Sequence, residues 1–331
     1  MTSALPFDDF RTLLASLPPG NEAAAATVRT LFLKAEKPAG SLGRMEDIAA
    51  WLARWSGRPP AVNRPLVAIF AGNHGVARHG ISPRPIDATA RAVELCAAGG
   101  AAINQICLAY DLGLKVFDLA LDLPTGDITS EAALDERGCA ATMAFGMEAI
   151  AGGADLLCLG DLGVGNSTVA AAISCLLYGG RGVDWVGAGS GADHAMQARK
   201  AATVDAAVAL HGGHASDPLE VLRRVGGREF AAIAGAIIAA RAERVPVILD
   251  GFASLAAAAV LHAANPGALD HCLLAQAPTE PGHAVVASRI GLAPVFDFGL
   301  AHGEATGAAL AAGIVKAAAL LSSGMAAAVR H

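Results

Sequence analysis

The stretch "DLLCLGDLGVGNSTVAAAISCLL" (155–177) decides the fold class of this chain. Its first six residues form a short apolar run, which predicts a buried strand. Glycines follow this run, and an alanine-rich segment with helical spacing comes after them. A strand that passes through a glycine turn into a helix is the repeating unit of a parallel α/β sheet.

The same order of strand and helix recurs along the chain. This alternation predicts an α/β fold, a Rossmann-like parallel sheet with helices on both faces. Ligands of such sheets bind beyond the carboxyl ends of the strands, so we expect the site among the glycine and polar residues there. The predicted strands are "LVAIFAG" (66–72), "KVFDLAL" (115–121), "DLLCLG" (155–160), "VDWVGAG" (183–189), "VPVILDG" (245–251) and "HCLLAQA" (271–277).

The two ends of the chain differ from its middle. The first sixty residues have a helical pattern without a strand, and "SGRPPAVNRP" (56–65) is typical of a linker. The tail is again helical. We therefore predict a large α/β domain over 61–295 and a small helical domain built from 1–60 and 296–331.

Composition excludes several classes of protein. Hydrophobic residues make up 54% of the chain, but the longest uncharged runs contain glycine, proline and polar residues, so no membrane span is predicted. A net charge of −6 without a basic run argues against a nucleic-acid partner. Six scattered cysteines without C-x-x-C spacing, and acidic Asp8 and Asp9 near the start, favour reduced thiols and a cytoplasmic location.

The first glycine turn, "GDLGVGNST" (160–168), has the spacing of a phosphate-binding loop. Asn166 stands where that loop has its lysine, so hydrolysis of a nucleoside triphosphate is not expected. Backbone N–H groups at the start of the following helix can still bind a less charged phosphate. The alternative is that the glycines only form a tight turn between strand and helix.

The second glycine turn, "VGAGSGADHAMQARK" (186–200), has the register of a dinucleotide fingerprint. An NAD-dependent dehydrogenase is therefore an alternative, which requires an acidic residue at the end of a second strand about 20 residues later. Asp205 lies instead in a helical segment. Lys200 is either a surface lysine or a cation that reaches a phosphate.

Two further patterns have open interpretations. Asp250 ends a predicted strand, where it either binds ribose hydroxyls or caps the following helix. His74 and His79 lie in a glycine-rich loop without a nearby carboxylate, which is a poor metal site. Neither a metal nor another cofactor is predicted.

Seven segments, in this order, resemble those of one enzyme family over nearly the whole chain. The family is nicotinate-nucleotide:dimethylbenzimidazole phosphoribosyltransferase, which makes the lower-ligand nucleotide of cobalamin. The segments are "KPAGSLGRMEDIAAWLARWSG" (37–57), "FAGNHGV" with "GIS" (70–82), "GGAAIN" (99–104), "GDLGVGNST" (160–168), "VGAGSGADHAMQARK" (186–200), "LDGF" (249–252) and "HGEATGAAL" (302–310).

The resemblance implies a reaction and the residues that perform it. The 5-phosphoribosyl group of nicotinate mononucleotide passes to dimethylbenzimidazole, without a cofactor, in a cytoplasmic homodimer whose large domain binds the nucleotide. Glu304 matches the general base, and Asp161 matches a second acidic position. Ser82 lines the base pocket. The positions that hold the mononucleotide are Gly163, Gly189, Lys200 and Gly251.

The chain departs from the family pattern at several positions. Arg84 and Ile86 replace a tyrosine and a glutamine in the wall of the base pocket, and Pro278 replaces a serine. Asn73 replaces an aspartate, and Ala305 replaces a glycine beside the general base. These changes bear on which base is accepted. Besides the transferase and the dehydrogenase, a non-catalytic relative that binds nucleotides or heterocycles is the third hypothesis.

Overall fold

The structure is a computed structural model that describes residues 5–325. These residues form six β-strands and fourteen α-helices. The strands are β1 Pro65–Ala71, β2 Gly113–Asp118, β3 Leu156–Leu162, β4 Val247–Leu249, β5 Cys272–Gln276 and β6 Pro294–Phe296. The helices are α1 Asp8–Ala15, α2 Glu22–Lys34, α3 Arg44–Ser56, α4 Ala88–Ala97, α5 Ala102–Tyr110, α6 Glu136–Met147, α7 Asn166–Tyr178, α8 Gly182–Trp185, α9 His194–His211, α10 Pro218–Val225, α11 Arg228–Ala242, α12 Phe252–Ala264, α13 Pro281–Arg289 and α14 Thr306–Gly324.

All six strands belong to one parallel sheet in the order β2-β1-β3-β4-β5-β6. The chain therefore places β2 on one side of β1. It then crosses over and adds β3, β4, β5 and β6 on the other side of β1. A crevice opens where the direction of winding reverses, beyond the carboxyl ends of the neighbouring strands β1 and β3. The predicted α/β fold with a Rossmann-like parallel sheet is confirmed.

Side chains of the sheet alternate between two apolar clusters, one on each face. Ala68 and Phe70 of β1 pack with α6, α7, α11 and α12 on one face. Val67 and Ile69 pack with α2, α3, α5 and α14 on the other. This alternation follows from the period of two in a strand, and it covers the sheet with helices on both faces.

The terminal segments meet on one face of the sheet. Helix α14 contacts α2, α3 and α5, and it also packs directly on β3, β4 and β5. Helix α1 lies elsewhere, against α12, where the Asn265 amide donates a hydrogen bond to the Leu14 carbonyl at 2.6 Å. The cluster formed by the two ends of the chain is thus continuous with the sheet, and its division into a separate domain stays a prediction.

The prediction of a strand over 183–189 is wrong. This segment begins inside the short helix α8, where the Gly182 N–H donates to Asp205 Oδ1 at 2.6 Å. Trp185 is buried, stacks on Tyr178 and donates its indole N–H to the Gly179 carbonyl at 2.9 Å. The aromatic and β-branched residues that mimic a strand are anchors of this helical turn. Strand β6 was missed because three residues are too short to show a strand period.

Two stretches are long and apolar enough to cross a membrane by length and composition, 88–110 and 306–324. The first is divided into α4 and α5 at Gly99 and Gly100. The second is α14, whose apolar side chains pack on the sheet and on α3 and α5. Packing within the fold therefore accounts for the apolar character of α14.

Candidate active site

A cleft with a volume of about 450 Å³ lies beyond the carboxyl ends of β1, β3, β4 and β5, at the position where the direction of winding reverses. Six loops contribute to it, so residues far apart in sequence face one space. Of the residues predicted for the site, those that line the cleft are Ser82, Asp161, Gly163, Gly189, Lys200, Asp250, Gly251 and Glu304.

Glu304 lies at the mouth of α14, two residues before the helix begins. The residue is only 7% exposed, and the Glu304 and Ala305 backbones both have positive φ values, 66° and 60°. Among the described residues Glu304 Oε2 has no hydrogen-bond partner, although His302 Nε2 lies 3.4 Å away. Oε2 itself is buried, but Glu304 lines the cleft, so its carboxylate can accept a proton or a hydrogen bond from a ligand there.

Asp161, near the end of β3, is a second carboxyl group in the cleft. Asn166 Nδ2 donates to its Oδ2 at 2.5 Å, and the Ser254 hydroxyl lies 3.4 Å from its Oδ1. Burial raises the pKa of Asp161 to about 7, and the carboxylates of Glu229 and Asp250 add to the rise. Asp161 therefore titrates close to neutral pH.

Asp250 follows β4 and is buried. Its Oδ2 accepts a hydrogen bond from the Gly307 N–H at 2.7 Å, so the side chain caps α14 rather than the following helix α12. Burial raises the pKa of Asp250 to about 6, while the N–H groups of Gly307 and Ala308 act in the opposite direction. The interpretation of Asp250 as a cap of the following helix is therefore wrong, because its carboxylate binds the start of a helix that is distant in sequence.

Lys200 provides a buried cation at another part of the cleft. The ammonium group donates to the Gly187 carbonyl at 2.7 Å and to Ser167 Oγ at 3.1 Å. Glu280 Oε2 lies 4.0 Å away, which is too far for a hydrogen bond. Burial lowers the pKa of Lys200, and Glu280 counteracts this. Because α7 also directs its N-terminus to this region, through Ser167, the region suits an anion such as a phosphate.

The base-pocket residues divide between two cavities. Ser82 lines the cleft, and its hydroxyl accepts a hydrogen bond from the Arg84 N–H at 3.1 Å. Ile86 does not line the cleft but faces a neighbouring cavity of about 840 Å³, next to His74. Arg84 borders both cavities. The exposed Arg84 therefore stands at the boundary of the region predicted to hold the base.

A buried contact between a histidine and a glutamate behind the cleft was missed by sequence reasoning. His74 Nε2 lies 2.6 Å from Glu229 Oε1, and both side chains are buried. Glu229 also adjoins the bare backbone of Gly72 and Gly163 at the ends of β1 and β3. The sequence signal was one acidic residue in the first turn of the otherwise apolar helix α11, which alone does not reveal a distant histidine.

The second glycine turn lacks the context that a dinucleotide site requires. No strand precedes Gly187 and Gly189, and Asp205 lies within α9 and bonds to the backbone of α8. Within residues 5–325, no group of three His, Cys, Asp or Glu side chains is arranged to hold a metal ion. The cleft thus combines the carboxyl groups of Glu304, Asp161, Asp250 and Glu280 with one buried lysine.

A doubly wound parallel sheet with these groups at its switch point is typical of α/β enzymes that bind phosphorylated ligands. Residues 17–329 match the family model described as "Phosphoribosyltransferase" (DBI_PRT), and the chain belongs to this family.

Its relatives are similar over almost their full length. The nicotinate-nucleotide–dimethylbenzimidazole phosphoribosyltransferases of Rhizobium leguminosarum bv. trifolii and Rhizobium meliloti are each 64% identical, with 98% of this chain and 96% of theirs covered. The crystal structure of the enzyme of this name from Thermus thermophilus has a TM-score of 0.84 at 35% identity, covering 93% of this chain and 97% of that one. A second structure, of CobT from the same organism, has a TM-score of 0.85 at 36% identity over 92% and 97% of the two chains.

Proposed function

We propose that this protein transfers the 5-phosphoribosyl group of nicotinate mononucleotide to 5,6-dimethylbenzimidazole or a related base. The products are α-ribazole phosphate and nicotinate, in the lower-ligand branch of cobalamin biosynthesis. The observation that carries the proposal is the free carboxylate of Glu304 in the cleft that also contains Lys200. The 64% identity to enzymes named for this reaction supports it.

The departure of nicotinate requires no proton from the protein. Nicotinate in its mononucleotide is an N-glycosylated pyridinium, so it departs with the electrons of the bond to C1′ and takes up no proton. A general acid is therefore unnecessary on that side. The apolar and glycine surfaces of the cleft instead hold the two flat rings on opposite sides of C1′, and such alignment contributes much of the acceleration of bimolecular reactions.

The attacking base requires proton removal. One ring nitrogen of the benzimidazole forms the new bond to C1′, and the other carries a proton that must leave as that bond forms. The Glu304 carboxylate accepts this proton, because Glu304 lines the cleft and its carboxylate is the one at the mouth of α14. A positioned general base typically contributes about 10²–10⁴-fold to the rate.

The 5′-phosphate of the mononucleotide fits the other part of the cleft. Lys200 presents its ammonium group beside Ser167 and Gly189, and the start of α7 adds its positive dipole end. Asp161, Gly163 and Gly251 are neighbours of the ribose in this arrangement, and Ser82 lies toward the base. Ile86 influences the base only through its neighbour Arg84 in this arrangement.

A product assay tests the proposed reaction. Purified protein is incubated with nicotinate mononucleotide and 5,6-dimethylbenzimidazole, and products are identified by mass spectrometry. We expect α-ribazole phosphate and nicotinate in equal amounts, with benzimidazole and adenine as comparison acceptors for the departures near Arg84. Absence of product with every base would overturn the proposal. Binding of the mononucleotide without turnover would then favour the non-catalytic relative.

We also propose a cytoplasmic homodimer. Leu108 on α5 and Leu320 on α14 are 81% and 70% exposed, and these two helices lie side by side. An exposed apolar surface of this kind is typical of protein–protein contacts. The six buried free thiols suit a reducing compartment.

Light scattering tests the dimer and should give twice the monomer mass for wild type. Leu108→Glu should lower the measured mass, whereas Val183→Glu, at an exposed position on α8, should leave it unchanged. A monomeric wild-type mass would contradict the dimer.

A further inference from the structure

The backbone that carries Glu304 is unusual, because two consecutive residues other than glycine adopt positive φ values. Glu304 has φ 66° and Ala305 has φ 60°. Side chains disfavour this conformation, and such residues persist only where surrounding contacts hold them. The turn that precedes α14 therefore needs surrounding contacts that keep its conformation. The direction of the Glu304 side chain depends on this conformation.

Two neighbouring strands supply the contacts. On one side, a Cβ at Gly160 of β3 would lie 2.5 Å from the Ala305 backbone nitrogen, so the turn rests directly on bare strand backbone. On the other side, Asp250 at the end of β4 accepts the Gly307 N–H at 2.7 Å. A Cβ at Gly307 would lie 2.5 Å from Asp250 Oδ1. The turn is held between β3 and the Asp250 carboxylate.

We infer that Asp250 is a positioning residue for the general base, and that its carboxylate serves the start of α14 rather than the ribose. The inference rests on the proposed function, in which Glu304 receives the proton. Asp250 is 3% exposed, and its Oδ1 is buried beside Gly307 without a hydrogen-bond partner among the described residues. Loss of the cap releases the strained turn and lets Glu304 leave its place.

Kinetics with both substrates separate positioning from ribose binding. Asp250→Ala should lower kcat about 10- to 100-fold, because a misplaced general base loses part of its contribution to the rate. The KM for nicotinate mononucleotide should stay within twofold of the wild-type value. Asp250→Asn should keep most of kcat, because asparagine also accepts an N–H at a helix start. The double variant Asp250→Ala/Glu304→Gln should be no slower than Glu304→Gln alone, since residues that act as a unit are not additive.

The matched control is Asp217→Ala. Asp217 caps α10 by accepting the Leu219 N–H at 3.0 Å and lines neither cavity, so kcat should stay within twofold. Gly307→Ala is a second variant, which displaces the Asp250 carboxylate without removing it and should lower kcat similarly. A tenfold higher KM for the mononucleotide with unchanged kcat in Asp250→Ala would overturn the inference. Multiplicative losses in the double variant would also overturn it.

A measurement independent of turnover keeps this inference distinct from the proposed function. In hydrogen exchange with mass spectrometry, peptides that cover 300–310 should exchange at least tenfold faster in Asp250→Ala than in wild type or Asp217→Ala. Unchanged exchange would contradict the positioning role even if the wild type were active. Faster exchange with an inactive wild type would support the positioning role while the proposed reaction fails.

Discussion

At the scale of single residues, the cleft is built from side chains that distant segments of the chain bring together. Lys200, Asp161 and Glu304 occur at motif positions, and the structure brings them to one cleft. The partner of a buried side chain is harder to predict, since pairing depends on the fold. Neither the contact of His74 with Glu229 nor the bond from Gly307 to Asp250 has a signal in the local sequence.

Replacing Lys200 should weaken binding of the mononucleotide. Lys200→Met retains the apolar stem and removes the charge that faces the phosphate region. The KM for nicotinate mononucleotide should rise about 10- to 100-fold, because a hydrogen bond to a charged group contributes about 1.5–3 kcal/mol. Lys34→Met, at an exposed position on α2, is the control and should leave the KM for nicotinate mononucleotide unchanged. An unchanged KM in Lys200→Met would place the phosphate elsewhere.

Asp161 should make stability depend on pH. Its pKa is about 7 in the folded chain, above the ordinary value of 3.8, so the folded state retains the proton to higher pH. The stability from Asp161 is complete below about pH 4 and is lost as the pH rises through 7. Relative to wild type, Asp161→Asn should therefore become more stable between pH 4 and pH 8.

Urea unfolding at several pH values checks this prediction. The unfolding midpoint of Asp161→Asn minus that of wild type should rise with pH. A difference for Asp161→Asn that does not change with pH would mean that Asp161 titrates in the folded chain as it does in the unfolded one.

At the scale of elements, periodicity predicted five strands and failed for one. The failure at 183–189 arose because Trp185 and Val186 resemble strand residues, yet tertiary contacts hold Trp185 in a helical turn. The correction also matters for function, since the second glycine turn then has no strand before it. Short edge strands such as β6 carry too few residues to show a pattern.

The contact between α6 and α11 depends on glycine. A Cβ at Gly235 would lie 1.9 Å from the Met143 carbonyl oxygen, and one at Gly146 would lie 1.9 Å from the Ala232 carbonyl oxygen. Gly235→Ala should lower the free energy of unfolding by about 1–3 kcal/mol, because the backbone must move. Gly212→Ala has open space and helical backbone angles, so it should change stability by about 1 kcal/mol or less. Equal unfolding midpoints for the two variants would contradict this packing.

At the scale of the whole molecule, parallel winding explains why the site forms where it does. The carboxyl ends of β1, β3, β4 and β5 meet at one edge of the sheet, and α14 returns from the end of the chain to place Glu304 over them. Sequence order predicted the class of fold and the edge of the sheet at which the cleft opens. It did not predict that α14 is capped from β4, because that bond joins residues 57 positions apart.

The most direct test of the central claim compares Glu304→Gln with wild type in the conversion of nicotinate mononucleotide and 5,6-dimethylbenzimidazole. Glutamine keeps the size of the side chain but cannot accept the ring proton. We expect kcat to fall about 10²–10⁴-fold, with the KM for the mononucleotide within twofold. A kcat equal to that of wild type would contradict the role of Glu304 as the general base and move it to Asp161.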